Sequence, residues 1–90
     1  MVRGMARTEI NKDEREPVFR QLAEIIRGQI DSGEIPPNYA VPSKRTLVQR
    51  YQVSTQTVDK AMAILREEGL IETERGKGLY VIPPERRSRN

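Results

Sequence analysis

Apolar side chains return at three- and four-residue intervals through the first half of the chain, at Val18, Phe19, Leu22, Ile25, Ile26 and Ile30. That spacing gathers one stripe on a helix and predicts a first helix over residues 17–31, with Pro17 in the opening turn, where a missing amide costs nothing. Gly33 supplies a stop, Pro36 and Pro37 forbid continuation, and Asn38 suits the left-handed conformation of a tight turn. A second, shorter stripe of Leu47, Val48 and Tyr51 follows Pro42-Ser43, whose hydroxyl can cap the new helix; this helix should end near Tyr51. Ser54 offers the same cap to a third helix, with Val58, Ala61, Met62 and Leu65 as its buried stripe and Gly69 as its stop. Strand-like runs at 70–74 and 79–82 then flank Arg75-Gly76-Lys77-Gly78, a glycine-bracketed turn fit for a hairpin, and Pro83-Pro84 closes the pattern. Residues 39–41 offer one further short strand.

Two short helices joined by Tyr51-Gln52-Val53-Ser54 and followed by a basic hairpin spell a winged helix-turn-helix, mainly α with a small antiparallel β-hairpin. Such a helix pair can place its second member in a DNA major groove while the hairpin reaches neighbouring backbone. The chain divides into a flexible arm (1–16) with alternating charge and no periodicity, the winged-helix domain (17–82) and a basic tail (83–90). Ninety residues suffice for one modest core.

Charge sharpens this picture because it is uneven. The net charge is +3, yet residues 1–16 hold four basic and four acidic side chains, residues 17–42 two against three, and residues 43–90 ten against six. The excess coincides with the helix pair and hairpin, as a polyanionic partner requires. The chain has no cysteine and no histidine, so disulfides, thiolate metal sites and the usual proton shuttle are absent. Carboxylates lie scattered on solvated faces without a partnered base or nucleophile, which argues against an enzyme and leaves no cofactor or metal to assign. No apolar run reaches signal-peptide or membrane-spanning length, so the expected setting is the cytoplasm, at the nucleoid.

The string PSKRTLVQRYQVSTQTVDKAMAILREEGLIETERGKGLYV resembles the DNA-binding domain of GntR-type bacterial transcription regulators. The resemblance runs over residues 17–81. It is most specific at Ser-Gly-Glu-Ile-Pro-Pro (32–37), Pro42-Ser43, Val53-Ser54 with Thr57-Val58, Glu68-Gly69-Leu70-Ile71, and Gly76-Lys77-Gly78 before Tyr80-Val81. Four positions depart from the family habit: Lys44 stands where Glu is common, Gln52 where Gly is, Thr55 where Arg is, and Asp59 where Arg is frequent. Thr55 removes a usual reader of guanine, and Asp59 repels phosphate unless it accepts from a cytosine amino group or faces a cation. Lys44 adds positive charge at the start of helix two, in keeping with greater reliance on phosphate. Gln52 in a left-handed turn costs roughly 1 kcal/mol relative to glycine.

The resemblance implies DNA contacts from Ser43, Lys44 and Arg45 at the start of helix two, and from Ser54, Thr55, Gln56 and Thr57 at the start of helix three. It implies further contacts from Arg75, Gly76, Lys77 and Gly78 in the wing. Amides at a helix N-terminus and hydroxyls suit phosphate, Gln56 can pair with adenine N6 and N7, and Lys60, one turn on, can reach another phosphate. Each has a plainer explanation: capping for the serines, solvated charge for Arg45, Arg75 and Lys77, polar surface for Gln56 and Thr57. The expected function is a sequence-specific transcriptional regulator, by family habit a repressor, on a palindromic operator in double-stranded DNA. The competing expectation is a winged helix used for protein interaction or for architectural DNA binding without sequence preference. Family members usually carry a C-terminal effector and dimerisation domain. Residues 83–90 cannot encode an effector pocket, and a small homodimer contact through helix one or the arm is an expectation of its own.

Overall fold

The computed structural model describes residues 7–87. Three helices come first: α1 (Val18–Ser32), α2 (Lys44–Tyr51) and α3 (Thr55–Glu67). A hairpin of β1 (Ile71–Glu74) and β2 (Gly78–Val81) follows, then one 3-10 turn over Pro84–Arg86. Pro17 sits one position before α1, where its carbonyl accepts from the amides of Arg20 and Gln21 at 3.0 and 3.1 Å. Gly33 ends the helix with φ of 87°, a conformation that costs glycine little.

α2 and α3 begin in the same way. The Ser43 hydroxyl accepts from the Thr46 amide at 3.2 Å, and the Ser54 hydroxyl from the Thr57 amide at 3.1 Å. Each cap satisfies one otherwise unpaired first-turn amide and stabilises its helix by about 1 kcal/mol. Between them Gln52 adopts φ 55° and ψ 53°, the left-handed turn expected of that position.

The apolar stripes meet in one core. Leu22, Ile25 and Ile26 of α1 pack with Leu47 of α2 and with Val58, Ala61 and Leu65 of α3, all nearly solvent-free. Ile71 and Val81, paired across the hairpin, close the core from the sheet side. Leu22, Ile25, Ile26 and Ile30 of the α1 stripe are thereby enclosed within the domain, whereas Val18 and Phe19 stay half-buried at its start.

Residues 39–41 contribute one bridge, Ala40 to Tyr80, rather than a strand. Val41 donates to Leu79 and Val81 donates to Tyr39, both at 2.9 Å, but Pro42 has no amide with which to extend the ladder.

Residues 7–16 differ from an arm lacking core contacts. Ile10 packs against the core, and Gln21 of α1, fully buried, ties the segment down through four hydrogen bonds. Its Oε1 accepts from Arg7 Nη1 at 2.9 Å and the Asn11 amide at 2.7 Å; its Nε2 donates to the carbonyls of Asn11 (2.9 Å) and Glu16 (2.8 Å). Arg7 also bridges Glu14 at 2.8 Å and Glu24 at 3.0 Å. Beyond the hairpin, Arg86 pairs with Glu72 of β1 at 3.1 Å and Arg87 Nε donates to the Ile82 carbonyl at 2.8 Å, folding the described part of the tail back onto the domain. Residues 1–6 and 88–90, the outer parts of the expected arm and tail, lie outside the described residues.

Candidate nucleic-acid interface

The surface of α3 follows from its buried stripe. With Val58, Ala61, Met62 and Leu65 turned inward, the opposite face presents Thr55, Gln56, Asp59 and Ala63, all exposed. Thr57 is half-buried, and its hydroxyl accepts from Ser54 Oγ at 3.0 Å. Ser43 makes the matching bond to Thr46 Oγ1 at 2.9 Å. Capping therefore engages Ser43, Ser54 and Thr57. The two capping bonds leave the amides of Lys44, Arg45, Thr55 and Gln56 in the first turns without an intrahelical acceptor, a donor set suited to anionic oxygen.

Four of the other expected residues come together. Ser43 and Lys44 at the start of α2 line one hollow together with Lys77 and Gly78 of the wing, so the hairpin tip stands beside the helix pair. The tip closes when the Lys77 amide donates to the Glu74 carbonyl at 2.9 Å, with Gly76 at φ 76° and Gly78 at φ 111°. Arg45, Arg75 and Lys77 are exposed and have no ion-pair partner among the described residues.

Two expected phosphate contacts stand in other company. Lys44 Nζ lies 2.9 Å from Asp59 Oδ1, so the carboxylate that phosphate repels faces a cation supplied by α2. Lys60 leans toward α1, its ammonium 5.3 Å from the centre of the Phe19 ring, a cation–π arrangement that leaves the charge in water. Asp59 is absent from the contacts implied by resemblance. The sequence signal for it was that Lys44 and Asp59 depart from the family together and in opposite sense. On the far side of α3, Arg27 donates to both carboxylate oxygens of Glu68 at 2.9 and 2.7 Å. These bonds raise the Arg27 pKa above its usual value and fasten α1 to the end of α3.

Among the described residues no group of acidic, histidine or cysteine side chains is placed to hold a metal ion. No helix among them is long and apolar enough to cross a membrane.

Comparison with known proteins agrees with this fold. The family model described as bacterial regulatory proteins, gntR family, matches residues 19–81. The HTH-type transcriptional repressor NagR of Bacillus subtilis is 35% identical over 75 residues, covering 83% of this chain and 31% of that protein. The chain thus spans about a third of that relative's length. Among solved structures, YtrA from Sulfolobus acidocaldarius, a GntR-family transcription factor, superposes with a TM-score of 0.74 at 32% identity, covering 87% of this chain and 81% of that one. The AraR(DBD) in complex with operator ORR3 gives 0.67 at 33% identity, covering 70% and 76%. With its three helices, hairpin and matched span, the chain belongs to the GntR family of bacterial regulatory proteins as its winged helix-turn-helix domain.

Proposed function

We propose that this domain binds double-stranded DNA in a sequence-specific manner as the DNA-reading part of a cytoplasmic transcriptional regulator, and that it represses by occluding promoter DNA. The exposed face of α3 enters the major groove, the uncapped amides of α2 and α3 take phosphate, and the wing follows flanking backbone. The observation that carries this reading is that the basic start of α2 adjoins two other features, the exposed face of α3 through Lys44 and Asp59 and the glycine-built hairpin tip through the hollow shared with Lys77 and Gly78. Relatives and neighbours add support, since NagR is named a repressor and the AraR domain was solved on an operator.

The proposed target is a palindrome, read by two copies whose α3 helices lie roughly 34 Å apart. In-vitro selection from a random duplex pool, followed by competition against unselected duplex at physiological salt, tests the proposal. Enrichment of one site, bound on the order of 1,000-fold or more above random DNA, is the expected result. Equal competition by random duplex would leave only an architectural DNA binder. Little affinity for any duplex would instead favour a protein-interaction module.

A further inference from the structure

Lys44 and Asp59 reach across from α2 to α3 on the surface assigned to DNA. Their side chains are 52% and 57% exposed, and an ion pair so open to water adds little to stability. A role as a staple between the helices therefore explains the pair poorly. Its position suggests a different use. Asp59 lies one turn beyond Thr55 and three residues beyond Gln56, on the face turned away from the core. A carboxylate there meets repulsion from phosphates unless a cation offsets it, and Lys44 does so at 2.9 Å. The contact uses Oδ1, and a carboxylate has a second oxygen with which to accept; an ammonium has three protons to donate. The pair is thus an acceptor beside a donor. Of the four base-pair orientations, one whose cytosine faces Asp59 presents the complement along a single major-groove edge: the cytosine N4 amino group as donor, and guanine O6 and N7 as acceptors.

Resting on the proposed placement of α3 in the major groove, we propose that Lys44 and Asp59 act as one specificity-determining unit that reads a single C·G base pair in each half-site. Asp59 accepts from cytosine N4 and Lys44 donates to the guanine of the same pair. The reversed polarity relative to the Glu and Arg common in the family then gives this chain a base preference of its own at that position.

The test is competition binding of the full chain on its selected duplex, with every base pair substituted in turn and random duplex as reference. The wild-type protein discriminates at one C·G position per half-site by roughly 5- to 150-fold. D59A weakens that discrimination, leaving only the Lys44 contact to guanine, and leaves the other positions unchanged. D59N shifts it toward adenine, which an asparagine can pair through N6 and N7. K44E/D59R retains an ion pair of opposite polarity and shifts the preference to guanine on the same strand. Uniform weakening of D59A on all duplexes, or an unchanged profile for K44E/D59R, would show the pair to be a helix staple and overturn the proposal. K44E/D59R keeps this decision open even if D59A folds poorly. A wild-type profile with preferences elsewhere but none for C·G beside Asp59 defeats this inference alone, whereas one without preference at any position defeats the major-groove reading as well.

Discussion

Single side chains divide into those that hold the domain and those free to bind. Arg45 and Lys77 are exposed, cationic and without ion-pair partners among the described residues, which leaves each available to one phosphate. Arg45→Ala and Lys77→Ala should each reduce the slope of log affinity against log salt by about 0.9, measured by titration at several salt concentrations. Unchanged slopes in both would remove the start of α2 and the wing from the interface. Gln56, uncharged and exposed at the start of α3, should behave differently: Gln56→Ala costs about 1–3 kcal/mol of discrimination at one base pair and leaves random-DNA affinity nearly unchanged. Gln52 bears on stability instead. Its φ of 55° is a conformation glycine adopts more readily, so Gln52→Gly should stabilise by roughly 0.5–1 kcal/mol and raise the melting temperature by about 2–8 °C. A lower melting temperature would show that contacts of the Gln52 side chain outweigh the backbone strain.

At the scale of elements, the two serine caps place the ends of the recognition pair. Ser54→Ala should cost about 1 kcal/mol and speed amide exchange at Thr57, followed by denaturant titration and hydrogen exchange. Protection unchanged at Thr57 would mean that its bond to Ser54 is not what orders the turn. These boundaries were legible because a cap is a local device: serine, a turn of helix and an apolar stripe are all written within a few residues. The hairpin was legible for the same reason, its glycines marking the positive φ at its tip. Residues 39–41 were not, since whether they pair depends on a partner 40 residues away and on the missing amide of Pro42.

On the scale of the whole molecule, the unforeseen feature is residues 7–16 held on α1. Low apolar content reads as disorder, but one buried amide can anchor a polar segment when all its bonding capacity is met, and no periodicity announces Gln21. Gln21→Ala should destabilise the domain by roughly 2–4 kcal/mol in chemical denaturation, as it leaves the partners in Arg7, Asn11 and Glu16 unsatisfied. A cost below 1 kcal/mol would mean that the segment contributes little to the fold. The site shows the same division. The types and order of its candidate residues come from resemblance, whereas the Lys44–Asp59 pairing and the turn of Lys60 toward Phe19 depend on how three helices pack.

The most direct measurement of the central claim is amide chemical-shift mapping of the domain titrated with its selected duplex. Shifts concentrated at Arg45, Thr55, Gln56 and Asp59 and at the Arg75–Lys77 tip are the expected result. Shifts confined to α1 and residues 7–16, with the α3 face and wing unmoved, would contradict it.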